Sequence, residues 1–150
     1  MKRDNMYRSY KEFNGYSTAF RQHKADSHCK YIHGYALRFK VWFDGELDYR
    51  NWVVDFGCFK RNGVKDWFKH QFDHTTVISV DDPERNRFEE MDKDGLIQLR
   101  IMEDVGCEKF AEYTFNFVNE YISSETDGRV KLISVEVFEH GANSAIFKNI

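Results

Sequence analysis

The sequence of 150 residues has little proline and little cysteine, and it lacks long apolar runs. With a single proline it has no proline-rich linker, and its length is typical of one domain spanning residues 1–150. No apolar run approaches the ~20 residues that a membrane-spanning helix needs, so we expect no membrane partner. The net charge is −3, with cations spread along the chain, which argues against nucleic acid as a partner.

The few cysteines indicate a reducing environment rather than a disulfide framework. Cys29, Cys58 and Cys107 are an odd number and lie far apart in the sequence. The polar segment 1–5 shows no secretion signal. We therefore expect free thiols and a cytoplasmic protein.

Aromatic residues, by contrast, make up 17% of the chain within an apolar fraction of 41%, which predicts an ordered core. The clearest strand pattern covers 31–43, where apolar side chains alternate with polar ones. The residues on its apolar face are Tyr35, Leu37, Phe39, Val41 and Phe43. Less regular patterns predict further strands at 7–22, 130–139 and 145–148.

Two helices are predicted between these strands. Apolar residues recur with near-helical spacing over 57–71 and, more regularly, over 107–123. Between the two helices, Pro83 to Met91 indicates a short helix and residues 96–101 a strand. Strands grouped in runs, with the helices between them, favour an α+β fold with an antiparallel sheet.

Three short segments carry residue types that are suited to moving protons. They are Cys29-Lys30-Tyr31-Ile32-His33-Gly34-Tyr35, the pair Asp73-His74, and the strand that ends at Glu139. A thiolate can act as a base, a carboxylate can hold an imidazole in one tautomer, and a second carboxylate can accept hydrogen bonds from a ring. Each also has a plain structural role, as a small buried residue, a charged surface turn and a solvated strand end.

Six landmarks along the chain occur in an informative order. They are Tyr16-Ser17-Thr18-Ala19-Phe20-Arg21, the segment from Cys29 to Tyr35, Val54-Asp55-Phe56 with Lys60, Phe72-Asp73-His74, Cys107-Glu108 with Ala111, and Val135 to Glu139. In this order they resemble the pterin synthase family that comprises 6-pyruvoyl-tetrahydropterin synthase and 6-carboxy-tetrahydropterin synthase. The resemblance covers about residues 16–147.

This resemblance implies the tunnelling fold, an antiparallel four-stranded sheet with two helices on one face. Subunits of the family join edge to edge into a barrel with active sites between them, so we expect a homo-oligomer, either a hexamer or a tetramer. The residues that the resemblance assigns are Cys29, Asp73 and His74 for catalysis, and Cys107, Glu108 and Glu139 for binding of the pterin substrate. Glu108 has an alternative role, because an acid at a helix start is stabilised by the helix dipole whatever its function.

The resemblance also implies zinc, but the ligands differ. The family binds zinc through three histidines, and two of the matching positions hold Phe20 and Tyr35, which leaves His33. Tyrosine is a poor zinc ligand beside histidine, cysteine or carboxylate. We expect zinc to be bound weakly or not at all, by His33 with help from His28, while His23 is a further nearby histidine.

Two functions follow from the resemblance. The first is a lyase that acts on dihydroneopterin triphosphate to form a 6-carboxy- or 6-pyruvoyl-tetrahydropterin, with the 7-deazaguanine (queuosine) pathway enzyme as the closer model. The alternative is a pterin- or purine-binding homologue that kept the ring pocket and lost the zinc reaction. The two missing zinc ligands favour the alternative, whereas Cys29, Asp73 and His74 favour the lyase, which is our expectation.

Overall fold

Residues 5–149 are described by a computed structural model, in which six strands form a single mixed sheet. The strands are β1 (Tyr7–Phe20), β2 (His33–Gly45), β3 (Thr75–Ser79), β4 (Leu99–Met102), β5 (Val130–His140) and β6 (Asn143–Lys148). Their order across the sheet is β4-β3-β1-β2-β5-β6. Residues 1–4 and residue 150 lie outside the described residues. Residues 1–4 belong to the segment in which no secretion signal is predicted.

In the described part of the chain, four α-helices connect the strands. They are α1 (Cys58–Arg61), α2 (Val64–Phe72), α3 (Arg85–Lys93) and α4 (Cys107–Glu125). The predicted helix over 57–71 is interrupted, because Gly63 has a φ of +88°, a left-handed conformation that favours glycine. Within residues 5–149, none of the helices is long and apolar enough to cross a membrane.

The prediction of a four-stranded antiparallel sheet is wrong. β1, β2, β5 and β6 do pair antiparallel, but β3 pairs with β1 in parallel and β4 extends the sheet in parallel to β3. All five residues of β3 are buried, so this strand lacks the alternation that reveals a half-exposed strand. The predicted strand at 96–101 corresponds to β4, and the short helix at 83–91 corresponds to α3. The assembly into a barrel stays a prediction.

The core lies between one face of the sheet and the helices α1, α2 and α4. The strand prediction for 31–43 is confirmed in β2, where Leu37, Phe39, Val41 and Phe43 are fully buried. The helix prediction for 107–123 is confirmed in α4, whose buried residues follow a helical period. These are Cys107, Phe110, Ala111, Thr114, Phe115, Val118 and Ile122.

Phe68 joins α2 to the sheet, and its removal should destabilise the fold strongly. The fully buried ring stacks on Phe13 at 4.3 Å and contacts Phe39 at 5.0 Å between ring centres. We expect Phe68→Ala to lower the free energy of unfolding by about 3–5 kcal/mol in urea titrations, because a cavity replaces the ring. Tyr49→Ala is the control, since Tyr49 is 92% exposed, and should change stability by less than about 0.5 kcal/mol. Equal losses in the two variants would contradict this account of the core.

Candidate functional site

Cys29 lies in the loop between β1 and β2. It occupies a single 3-10 turn, His28–Lys30, in which the Ser27 hydroxyl accepts a hydrogen bond from the Cys29 backbone N–H at 3.3 Å. The Cys29 carbonyl accepts a hydrogen bond from the Gln22 N–H at 3.0 Å, which closes the loop. Cys29 is half-buried while His28 is exposed. The loop therefore fixes the thiol close to the end of β1.

Gln22 also connects this loop to the start of α4, a role that the sequence did not reveal. Its side-chain amide donates a hydrogen bond to the Val105 carbonyl at 3.3 Å. Gly106, the next residue, has a φ of +130°, and a Cβ added there would lie 2.7 Å from the Gln22 amide nitrogen. A glycine before α4 thus allows the Cys29 loop to approach Cys107 and Glu108, the first residues of the helix.

The three residues assigned to pterin binding lie around one cavity. Cys107, Glu108 and Glu139 line a space of about 460 Å³ together with the segment from Ala142 to Ala145. They come from the start of α4 and the end of β5, and the segment covers the end of the β5–β6 turn and the start of β6. Burial raises the pKa of the Cys107 thiol well above its usual range, and the neighbouring Glu139 raises it further. Cys107 is therefore a neutral thiol at physiological pH.

Tyr35 of β2 lies within electrostatic range of Glu139, Cys29 and Cys107. Burial raises the pKa of the Tyr35 phenol most, and the nearby Glu139 carboxylate and the two cysteines raise it further. The phenol accordingly stays protonated and can donate a hydrogen bond. The sequence had indicated Tyr35 only as a lost zinc ligand, whereas the structure places it among the predicted catalytic and binding residues.

The residues at the expected zinc position do not fit a zinc ion. The ring centre of His33 lies 4.7 Å from that of Phe20 and 5.5 Å from that of Tyr35. A phenyl ring offers no lone pair to a metal, and Phe20 is fully buried in the middle of this cluster. Among residues 5–149, no group of three histidine, cysteine or acidic side chains is arranged to hold a metal ion. Zinc at His33 and His28 stays a prediction that these donors do not favour.

Asp73 and His74 form a close pair between α2 and β3. The His74 Nδ1 atom lies 3.1 Å from a carboxylate oxygen of Asp73, which also accepts a hydrogen bond from the Ser17 N–H at 3.2 Å. Neighbouring residues of a regular strand would point to opposite faces. Here α2 has just ended and His74 has a φ of +56°, an uncommon value for a residue other than glycine. This backbone conformation brings the imidazole onto the carboxylate.

The Asp73-His74 pair lies apart from the Glu139 cavity within one chain. It lines a different cavity of about 400 Å³, whose other residues are Asp66, Lys69, His70, Gln98 and Arg100. β1 and β2 separate β3 from β5, which corresponds to about 14 Å at the usual strand spacing of ~4.8 Å. The structure therefore brings Cys29, Tyr35, Cys107, Glu108 and Glu139 together and leaves Asp73 and His74 elsewhere.

Gly106→Ala should disturb the junction between the Cys29 loop and α4. Alanine is strained at a φ of +130°, and its Cβ would displace the Gln22 amide. We expect a loss of about 1–3 kcal/mol in the free energy of unfolding, measured by urea titration. Gly141→Ala is the matched control, because the added Cβ meets no atom within 4 Å and Gly141 lacks a positive φ. If both variants are as stable as the parent, the glycine is not required at this junction.

The comparisons with known proteins agree with this fold. A family model described as 6-pyruvoyl tetrahydropterin synthase matches residues 9–149. No curated protein matches the sequence.

Several solved structures are similar over nearly their whole length. An uncharacterized protein from Wolinella succinogenes has a TM-score of 0.83 and 19% identity, with 97% of this chain and 99% of that chain covered. The 6-pyruvoyl tetrahydropterin synthase of Caenorhabditis elegans has a TM-score of 0.68 and 19% identity, with both chains covered completely. The enzyme from Plasmodium vivax has a TM-score of 0.69 and 16% identity, covering 98% of this chain and 100% of that chain. On the match of the family model, the chain belongs to the 6-pyruvoyl tetrahydropterin synthase family.

Proposed function

We propose that this protein binds a pterin in the cavity around Glu139. The observation that carries the proposal is the meeting of Cys107, Glu108 and Glu139, the three residues assigned by resemblance to pterin binding, around one cavity. The volume of about 460 Å³ falls in the range of small-molecule sites. Family membership supports the same class of ligand.

The polar groups of this cavity suit the pyrimidine edge of a pterin. That edge presents ring N–H and amino donors, and a carboxylate can accept two such hydrogen bonds at once. Glu139 is half-buried, which strengthens hydrogen bonds to its carboxylate compared with those of a solvated acid. Glu108 and the side-chain amide of Asn143 add further polar atoms to the wall.

The groups next to the cavity provide proton transfer without a metal ion. Tyr35 interacts with Glu139 and is close to Cys29, so a ring held at Glu139 has a phenol donor and a thiol beside it. As a thiolate, Cys29 is competent as a base. The protein groups alone can therefore move a proton to or from a bound pterin, even though the residues at the expected zinc position do not favour the metal.

The second candidate function is the lyase reaction on dihydroneopterin triphosphate. Elimination of triphosphate yields a 6-pyruvoyl-tetrahydropterin, whereas a 6-carboxy-tetrahydropterin also requires water and the release of the two terminal side-chain carbons as acetaldehyde. The Asp73-His74 contact at 3.1 Å favours it, because a carboxylate that orients an imidazole is a common proton relay. Within one chain this pair is too distant from Glu139 to act on the same ligand. The lyase thus needs a second copy of the chain whose Asp73-His74 pair approaches the cavity.

We propose that the sheet edges provide this contact. β4 and β6 are the two edge strands of the sheet, and unpaired edges favour pairing with another chain. The Glu139 cavity lies beside β6, and the Asp73-His74 cavity includes Arg100 of β4. Edge-to-edge association of β4 with β6 of the next copy would bring the two cavities to one interface.

Glu139→Gln should weaken pterin binding while the fold is retained. The amide turns one acceptor into a donor that faces the donors of the ring, and such a mismatch costs about 1–3 kcal/mol, or roughly a 5- to 150-fold loss of affinity. The measurement is a fluorescence titration with 7,8-dihydroneopterin. Glu12→Gln is the matched control, because Glu12 is likewise half-buried on a strand and does not line the cavity. Equal affinities of Glu139→Gln and the parent would refute the ring anchor.

Mixing two inactive variants tests the shared site. We expect Cys29→Ala and His74→Ala to lose turnover of dihydroneopterin triphosphate when each is assayed alone. Because each mixed interface can combine an intact Cys29 with an intact His74, unfolding and refolding the two variants together should restore part of the turnover. Each variant refolded alone is the control.

Three results would count against this arrangement. Mixed variants that stay inactive while the parent is active would place the whole site in one chain. A parent that binds pterin without turnover would rule out the lyase and leave the binding function. A monomer in light scattering at micromolar concentration would contradict the edge-to-edge assembly.

A further inference from the structure

The rings of Phe20, His33 and Tyr35 form a triangle at the end of the β1–β2 pair. Phe20 and His33 are direct partners across the two strands, and Tyr35 follows on the same face of β2. The ring centres are 4.7 Å apart for Phe20 and His33, 5.5 Å for His33 and Tyr35, and 6.0 Å for Phe20 and Tyr35. All three rings therefore surround a common point.

This triangle has the dimensions of a tetrahedral metal site. Three imidazoles on one zinc ion hold their ring centres about 5 Å apart, given tetrahedral geometry and zinc–nitrogen bonds of about 2.0–2.1 Å. The three observed separations lie close to that value. The backbone positions are suited to three metal-binding side chains, although two of the side chains present are not.

His33 also keeps the hydrogen bond that is typical of a metal ligand. Its Nδ1 atom lies 2.8 Å from the Tyr31 carbonyl oxygen. A carbonyl can only accept, so Nδ1 carries a proton, and in the neutral ring the free lone pair is then on Nε2. Metal-binding histidines almost always donate their other ring N–H to a carbonyl or carboxylate in this way.

Phe20 turns the same position into part of the core. Its ring is fully buried and meets Phe110 of α4 edge to face, with 5.3 Å between the ring centres. A phenyl ring has no donor atom, and a neutral tyrosine is a poor zinc ligand beside histidine, cysteine or carboxylate. The cluster is held together by aromatic packing.

We propose that Phe20, His33 and Tyr35 occupy positions with the geometry of a zinc site, but that Phe20 and Tyr35 lack the donor atoms that zinc needs. The parent protein does not retain zinc there, and the two substitutions Phe20→His and Tyr35→His together are sufficient to create a tetrahedral zinc site. The inference concerns metal binding alone and does not depend on pterin binding or turnover.

The experiment compares six proteins: the parent, His33→Ala, Phe20→His, Tyr35→His, the double variant Phe20→His/Tyr35→His, and the double variant that also carries His33→Ala. Each is titrated with zinc chloride, dialysed, and analysed for metal. Cobalt(II) chloride is titrated in parallel, because tetrahedral cobalt absorbs visible light far more strongly than hexaaqua cobalt. Thermal unfolding is recorded with and without zinc, since an ion that binds only the folded state raises the melting temperature.

We expect the double variant to retain one zinc ion per chain and to show the tetrahedral cobalt spectrum. Its zinc affinity should exceed that of the parent by about 100-fold or more, because two imidazoles replace side chains that do not bind the metal. Each single variant supplies only two imidazoles and should bind much more weakly. The addition of His33→Ala should abolish the gain, and zinc should raise the melting temperature of the double variant alone.

Two results would overturn the inference. One is that the parent retains one zinc ion per chain after dialysis and His33→Ala does not. The unchanged cluster would then itself be a zinc site. The other is a double variant with a parent-like circular dichroism spectrum that binds zinc no better than the parent. If the double variant does not fold without metal, it is refolded with zinc chloride beside the parent. Recovery of the native spectrum only with zinc then supports the site, and failure to recover it opposes the site.

Discussion

An extra residue in β1 decides which of its side chains reach the core. The register of β1 against β2 shifts between Asn14 and Tyr16, where Gly15 has a φ of +83°. Side chains alternate along a regular strand, so Phe13 and Phe20 would otherwise point to opposite faces of the sheet. With this bulge both are buried on the helix side, at 3% and 0% exposure. The position of Phe20 beside His33 and Tyr35, and hence the shape of the candidate site, depends on that one residue.

The core and the candidate site share their supports. Phe20 packs on Phe110 of α4, and Gln22, two residues further along, binds the Val105 carbonyl just before α4. These contacts set the distance between the end of β1 and the start of α4, where Cys107 faces Glu139. The aromatic packing thus positions the polar groups, although none of the aromatic rings belongs to the cavity wall.

The parts of the fold that follow one regular period were predictable. β2 alternates and α4 repeats every three to four residues, so local sequence is sufficient for both. β3 was missed because burial on both faces removes alternation, and the break at Gly63 was missed because α1 and α2 share one apolar pattern. The first error has a tertiary cause that no short segment contains, whereas the glycine at position 63 is a local signal within the predicted helix.

The candidate site was predictable only where residues match the family landmarks. Cys107, Glu108 and Glu139 line one cavity, while their role in binding a pterin stays a prediction. The contributions of Gln22 and Gly106 arise from contacts between distant segments, and nothing in their local sequence indicates them. Tyr35 shows the limit most clearly. In the sequence, this position is notable because it lacks the histidine of the family. In the structure, its phenol lies near Glu139 and the thiols of Cys29 and Cys107.

The candidate site depends on contacts between remote parts of the chain. Gln22 and Val105, which join the Cys29 loop to the start of α4, are 83 positions apart in sequence, and Cys107 and Glu139 meet from α4 and β5. Closing loops of that length costs conformational entropy that only the assembled core offsets. A fragment that lacks one of these segments can therefore not form the complete site. A fragment that ends before α4 would keep Cys29, His33 and Tyr35 but would lack Glu108 and Glu139. Function here is therefore a property of the whole chain.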